Sequence, residues 1–287
     1  MAFRPKKRLG QNFLHDPGIA RKMVGAANLE RGQTVIELGA GRGFLTGPLA
    51  ALGVRLIAFE LDRDLYRDLA ASFQAGSTDH RERHSDGVEI LNQDFTRVSL
   101  TSLLAERDRS GCVLIGNIPY HLTRNVLFSF LVDESEVIES AYLMLQREVG
   151  ERIAASPGSK TYGIPSVVLQ SLYSVRSLFK VVAGSFTPRP KVDSVVVGFE
   201  PLAIPMVEPL ELRPFVSLVK NLFQQRRKTI HNTLRSAYTL SPAELRHIHD
   251  TTGVDLEARP EMLAVEEFLA LSRTVTEMTR GEQAAGL

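Results

Sequence analysis

Glycines and acids in a fixed order mark the first place where this chain can do chemistry. The run Glu37-Leu38-Gly39-Ala40-Gly41-Arg42-Gly43 follows a short apolar stretch and precedes apolar residues at helical spacing. A glycine turn between strand and helix lets the backbone pass close to a ligand, at the edge where an open α/β sheet binds one. Its spacing is G-x-G-x-G, with Phe44 where a dinucleotide fingerprint would carry its third glycine. Glu60 lies 21 residues after Gly39, at the end of the next strand, placed to accept hydrogen bonds from two ribose hydroxyls. Asp94 ends the third strand and can accept from an adenine amine. The plainer readings are a tight turn for the glycines and helix caps or surface charge for the acids. No lysine follows the glycines to grip a phosphate, which disfavours a P-loop.

Asn117-Ile118-Pro119-Tyr120, at the end of the fourth strand, is the sharper constellation. It resembles the Asn/Asp-Pro-Pro-Tyr motif of enzymes that methylate exocyclic amines of nucleobases. An adenine amine is a poor nucleophile, because its lone pair is delocalised into the ring. The Asn117 amide oxygen and a nearby backbone carbonyl can accept both amine protons, which draws the nitrogen toward a tetrahedral shape. Pro119 fixes the turn and removes a competing donor. Tyr120 can stack on a flipped base, a contact worth about 1–3 kcal/mol in single-strand binders. The alternative is an ordinary turn with a capping asparagine and a packing tyrosine.

The elements that must hold these residues alternate. Thr34–Leu38, Val54–Phe59, Val88–Leu91, Val113–Ile115 and Ala141–Leu145 read as strands. Between them, Leu45, Leu49 and Leu52, closed by Gly53, read as a helix, as do Leu65, Leu69 and Phe73 behind an Asp62 cap. Such alternation predicts a parallel sheet covered on both faces. Ser177–Val182 and Val192–Phe199 break the pattern, since nine residues cannot make a parallel crossover; the last strand must run antiparallel. A sheet of that kind is similar to the Rossmann-like methyltransferases. Pro201, Pro205, Pro209 and Pro214 mark a boundary, after which the periods are helical. The expected division is therefore 1–200 for a methyltransferase domain with a basic N-terminal arm, and 201–287 for a smaller all-helical domain. Residues 281–287 read as a frayed tail.

Charge is unevenly spread. The net charge is only +1, yet residues 1–8 carry Arg4, Lys6, Lys7 and Arg8 with no acid. Residues 220–235 carry Lys220, Arg226, Arg227, Lys228 and Arg235, again with no acid. Two such runs suit a phosphate-facing surface, although solvated surface charge would also account for them. Hydrophobic residues at 44% and charged residues at 23% exclude disordered, collagen-like and coiled-coil classes. Cys112 is the single cysteine, so no intrachain disulfide forms and a reducing, cytoplasmic setting is expected. It reads as a small buried apolar residue. No apolar run is long enough to cross a membrane, and the basic N-terminus lacks the apolar stretch of a secretory signal. His80 and His84, four apart in a polar stretch, lack a third ligand, so no metal is expected; His247 and His249 read as helix packing.

Together these stretches resemble the ribosomal RNA small-subunit adenine dimethyltransferase A family. The matching blocks are Leu9–Leu14, the Gly39 cluster, Glu60-Leu61-Asp62, Gln93-Asp94-Phe95, Asn117–Tyr120, Leu145–Val149, Phe186–Ser194 and Phe223–Thr229. They run in family order over roughly four fifths of the chain, and the last two are the most specific. The resemblance implies transfer of methyl groups from S-adenosylmethionine to adenines of a small-subunit rRNA stem-loop, two per base, on an immature subunit. It implies cofactor contacts at Asn12, Leu14, Gly39, Gly41, Glu60, Asp94 and Asn117. RNA contacts are expected at Lys6, Lys7, Arg8, Tyr120, Phe186, Arg226, Arg227 and Lys228, with Asn117, Pro119 and Tyr120 at the reaction centre and a monomeric protein. The sequence departs from the family at Ile118, often leucine, and at His121–Asn125, where Asn-Ile-Ser-Thr-Pro is usual. Alternatives are a macrolide-resistance-type enzyme acting on large-subunit RNA, a non-catalytic nucleic-acid-binding factor of the same fold, and a small-molecule methyltransferase. The Phe186 and Phe223 blocks weigh against the first, and the basic runs against the last.

Overall fold

A computed structural model describes residues 10–74 and 87–285. The basic run at Lys6, Lys7 and Arg8, and the histidines at 80 and 84, lie outside the described residues. The chain divides into two units, residues 1–150 with 175–201, and residues 151–174 with 202–287.

The first unit is built on a sheet of strands that are buried at its centre and partly exposed at its edges. They are β2 (Thr34–Leu38), β3 (Arg55–Phe59), β4 (Val88–Leu91), β5 (Cys112–Asn117), β6 (Ile138–Gln146), β7 (Tyr173–Val181) and β9 (Ser194–Pro201). Their order across the sheet is β4-β3-β2-β5-β6-β9-β7. Strands β2 to β6 pair in parallel, and β9 inserts antiparallel between β6 and β7, with Met144 opposite Val196. The antiparallel last strand expected from the short connection is present. Val35, Ile36, Leu38, Leu56, Ala58, Val113, Leu114 and Ile115 are all buried, as a sheet covered on both faces requires.

Helices fill the crossovers. Pro17 opens α1 (Pro17–Ala26), and Asp16 caps it by accepting from the Gly18 N–H at 2.8 Å. α2 (Thr46–Ala51) ends before Gly53, whose φ of +68° few other residues tolerate. α3 (Arg63–Gln74) starts where the Asp62 Oδ1 accepts from the Asp64 N–H at 3.1 Å. The remaining crossovers are α4 (Leu100–Ala105), the short α5 (Thr123–Asn125) and α6 (Arg147–Ile153). A separate two-stranded ribbon pairs β1 (Phe13–Leu14) with β8 (Phe186–Thr187), setting Leu14 opposite Phe186. Cys112 is fully buried, and burial pushes its thiol up to about 12, so it is the inert packing residue expected.

The second unit is helical: α7 (Ile164–Gln170), α8 (Pro209–Gln224), α9 (Ile230–Tyr238), α10 (Pro242–Thr252) and α11 (Val265–Ala285). Its core is Phe215, Leu218, Leu222, Ile230, Leu234, Ile248, Phe268 and Leu271, with Phe223 stacked on Phe268 at 5.7 Å. Three expectations need correction. A division at residue 200 misses residues 151–174, because Val167, Val168 and Leu169 of α7 are buried and their helix packs with α8 and α11. The second helical stretch begins within the expected boundary and not after it, since α8 starts at Pro209 and Pro214 lies inside it. The carbonyl its missing N–H would have bonded belongs to Leu210, which is 90% exposed, where water can take over that bond. The backbone of residues 281–285 continues α11 in place of the expected frayed tail.

Candidate active site

The C-terminal edge of the first unit's sheet forms a cavity, and the strand ends decide what lines it. The turn after β2 is pinned to the end of β3. Gly39 and Ala40 donate their N–H groups to the Phe59 carbonyl at 3.1 and 2.9 Å, and the Gly41 N–H donates to Glu60 Oε2 at 2.7 Å. Gly39, Gly41 and Gly43 all have φ between +59° and +80°, which explains the G-x-G-x-G spacing better than any single contact does. Beside this turn, a Cβ on Gly116 would stand 2.7 Å from the Leu38 carbonyl. Only glycine lets the end of β5 run against the end of β2, which brings the Gly39 turn next to Asn117.

Glu60 is buried, and its second oxygen accepts from the Asp62 N–H at 2.7 Å. Burial raises its carboxyl above the usual range, opposed by those two backbone donors. Each oxygen keeps a lone pair for a hydroxyl of a ligand. Asp94 lines the same cavity and also caps a helical turn, its Oδ1 accepting from the N–H and hydroxyl of Thr96 at 3.0 and 2.7 Å. The capping reading of Asp94 is met at Oδ1, which the turn holds, while Oδ2 lies 3.7 Å from Arg97.

Asn117 is oriented by the N-terminal segment. Its Nδ2 donates to the Asn12 carbonyl at 2.9 Å. A carbonyl can only accept, so this bond settles the amide's orientation and leaves Oδ1 as an acceptor on a cavity-lining side chain. The Ile118 N–H donates to the Met144 carbonyl at 3.2 Å, and the Leu122 N–H to the Pro119 carbonyl at 2.8 Å, which sets the turn. The half-buried Tyr120 is within 3.3 Å of the Ser194 hydroxyl through its own. His121, in the atypical segment, is exposed and packs against Gly10.

Residues 10–14 cover one side of the cavity. Gln11 Nε2 donates to Asp62 Oδ2 at 3.2 Å, and the Arg42 guanidinium sits 5.1 Å from the centre of the Phe13 ring. Leu14 and Phe186, paired across the ribbon, both line the cavity, and both are buried. Phe186 is thus a wall of this cavity before it is a surface for RNA. Leu61, 48% exposed, and Phe95 supply apolar faces beside Asp94. A flat purine between apolar faces, with an acid for its amine and Glu60 for its ribose, fits this set of residues.

Sequence reasoning overlooks Glu37. It is buried, lines the cavity and accepts from the Thr46 hydroxyl at 2.7 Å; burial, with Glu60 nearby, pushes its carboxyl up to about 7. A charged residue inside an otherwise apolar, doubly covered strand is the signal that could have found it.

In the helical unit, Arg226 donates to the carbonyls of Lys160 and Tyr162 at 3.3 and 3.2 Å and lies over the Phe223 ring. All three of Arg226, Arg227 and Lys228 are exposed, but Arg226 is tied to carbonyls of its own unit. His249 Nδ1 donates to the Val254 carbonyl, 2.9 Å away, as helix packing predicts. No group of three or more metal-binding side chains occurs among the described residues. Nor is any described helix long and apolar enough to cross a membrane.

A family model described as ribosomal RNA adenine dimethylase matches residues 2–277. The chain is 39% identical over 273 residues to the ribosomal RNA small subunit methyltransferase A of Geobacter metallireducens, covering 95% of this chain and 96% of that one. It is 39% identical over 266 residues to the protein of the same name from Chlorobium phaeobacteroides, covering 93% and 92%. Among solved structures, a dimethyladenosine transferase from Plasmodium falciparum superposes with a TM-score of 0.76 at 22% identity, covering 93% of this chain and 98% of that one. The 23S rRNA methyltransferase ErmE superposes with a TM-score of 0.70 at 24% identity, covering 92% and 100%. At such identities these two structures speak to the fold.

Proposed function

The chain belongs to the ribosomal RNA adenine dimethylase family, and from that premise we propose that it methylates two adjacent adenines of a small-subunit (16S) rRNA stem-loop. The product is N6,N6-dimethyladenosine, and the setting is maturation of the small subunit by a monomeric, cytoplasmic enzyme. S-adenosylmethionine is the methyl donor, and when bound it supplies a methyl group carried on a sulfonium. Glu60 receives its ribose hydroxyls, Asp94 its adenine amine, and the Gly39–Gly41 turn, Asn12, Leu14 and Asn117 complete the holding residues.

The observation that carries this reading is the commitment of Asn117 Nδ2 to the Asn12 carbonyl, which leaves Oδ1 to accept. Oδ1 and a backbone carbonyl of the turn accept the two protons of the adenine amine. That arrangement localises the nitrogen lone pair and aims it at the incoming methyl. Tyr120 stacks on the flipped base, its hydroxyl steadied by Ser194. The chain's part would be to hold the amine nitrogen toward the methyl that the bound donor would supply, with the surplus amine proton leaving to water. No side chain need act as base. For the second transfer the amine has one proton left, so one acceptor goes unpaired while the pocket accommodates the first methyl.

Arg227, Lys228 and the Lys6–Arg8 arm are proposed to meet RNA phosphates. The reading is tested by incubating the protein with labelled S-adenosylmethionine and undermethylated small-subunit particles, then analysing the nucleosides. Label in N6,N6-dimethyladenosine is expected; label confined to another base, or none, would overturn it.

A further inference from the structure

Glu37 is the buried acid for which the reaction above has no use. It stands at the C-terminal end of β2, immediately before the Gly39 turn, and lines the same cavity as Glu60 and Asn117. Among the described residues the charged group facing it is Glu60, which disfavours its ionisation; its hydrogen-bond donors come from Thr46 at the start of α2. No cation of the described residues stands against it. A carboxyl held this way ionises less readily than one in water, and a positive charge entering the cavity favours its ionisation.

We infer that Glu37 is a positioning residue linked to a proton. Below neutral pH it is chiefly a neutral acid in the ligand-free protein, and it releases its proton to solvent when a sulfonium ligand is seated in the cavity, becoming a fixed counter-charge. The balance is simple: one carboxylic acid becomes a carboxylate, and one proton goes to buffer. The thioether left after methyl transfer carries one positive charge fewer, so Glu37 has less reason to stay ionised beside it. The site thereby favours donor over product. This inference rests on the cofactor assignment proposed above.

Titration calorimetry with S-adenosylmethionine in two buffers of different ionisation enthalpy counts the protons released. With a Glu37 carboxyl near 7, roughly nine tenths of the molecules hold the proton at pH 6 and almost none at pH 8.5. Donor binding at pH 6 should therefore release close to one proton, and donor affinity should rise about tenfold between pH 6 and pH 8. S-adenosylhomocysteine should release fewer protons and change less. Glu37→Gln, which cannot ionise, should bind without releasing that proton. If that variant does not fold, Thr46→Val serves instead. Loss of the hydroxyl donor should push the midpoint of proton release to higher pH. Binding by the wild type with no buffer-dependent heat at pH 6 would overturn the inference. So would undiminished release from Glu37→Gln, or an unmoved midpoint in Thr46→Val. Failure of the donor to bind at all would overturn the cofactor assignment itself, a distinguishable result.

Discussion

Asn117 and Glu60 hold hydrogen bonds whose geometry is set before any ligand arrives, and the roles proposed for both are open to direct measurement. Removing one well-aimed polar contact from a transition state costs about 2.7–4 kcal/mol. Asn117→Ala should accordingly lose on the order of a hundredfold or more in single-turnover rate, on unmethylated and monomethylated RNA alike. Near-normal turnover on both would sink the proposed chemistry. Glu60→Ala removes two charge-assisted acceptors, each worth at most about 1.5–3 kcal/mol, so calorimetry should show weaker S-adenosylmethionine binding by the folded variant. Tyr120→Phe keeps the ring and gives up only the 3.3 Å approach to the Ser194 hydroxyl, so it should retain most activity, while Tyr120→Ala should weaken RNA engagement. Glu37 adds a stability signature. Its folded carboxyl sits near 7 against a reference of 4.5, so its contribution is complete below about 4.5 and is lost as pH rises through 7. The ligand-free wild type should lose roughly 3 kcal/mol over that window from this group, and denaturation of Glu37→Gln should show a flatter pH profile.

At the scale of elements, the site depends on how closely β2 and β5 can approach. Gly116 precedes Asn117, and a methyl there would meet the Leu38 carbonyl, which is backbone and cannot swing aside. Gly116→Ala should destabilise the first unit by about 1–3 kcal/mol and displace Asn117 as well, so both the denaturation midpoint and turnover should fall. A stable Gly116→Ala protein with full activity would mean that the strand ends need not touch. The ribbon of β1 and β8 works similarly, since its pairing carries Asn12 to Asn117 and Phe186 to the cavity wall. Two residues 105 positions apart are thereby joined by one hydrogen bond.

For the molecule as a whole, the basic run at 226–228 divides into unlike parts. All three side chains are exposed, but Arg226 is tied to two carbonyls of its own unit. Replacing Arg227 and Lys228 by alanine should flatten the salt dependence of RNA binding, by about 0.7 log units for each single-strand phosphate no longer neutralised. Arg226→Ala should chiefly lower the unfolding midpoint of the helical unit, on the order of 1 kcal/mol, because its charge-assisted bonds are partly solvated. If the double variant left the salt slope intact, these side chains would be solvated surface and nothing more.

Local chemistry made much of this protein legible from its amino acids alone. β2 and β4 run over Thr34–Leu38 and Val88–Leu91 as the short apolar runs indicate, β2 as a fully buried central strand and β4 as a half-buried edge strand. The short link before β9 dictated an antiparallel strand through chain length, and the glycines of the first turn announced themselves by spacing. What depended on long-range packing was decided only in three dimensions. Glu37 escapes a reading by residue type because burial is what makes an acid unusual. Residues 151–174 joined the helical unit because the apolar side of α7 packs with α8 and α11, helices distant in the chain. Pro214 sits inside a helix because the carbonyl it orphans lies at the surface, where water can satisfy it. The orientation of the Asn117 amide, on which the proposed reaction turns, follows from a carbonyl far away in the sequence. Patterns of neighbours along the chain fix elements and motifs; desolvation and hydrogen bonds between distant segments fix which atoms of those motifs remain available to react.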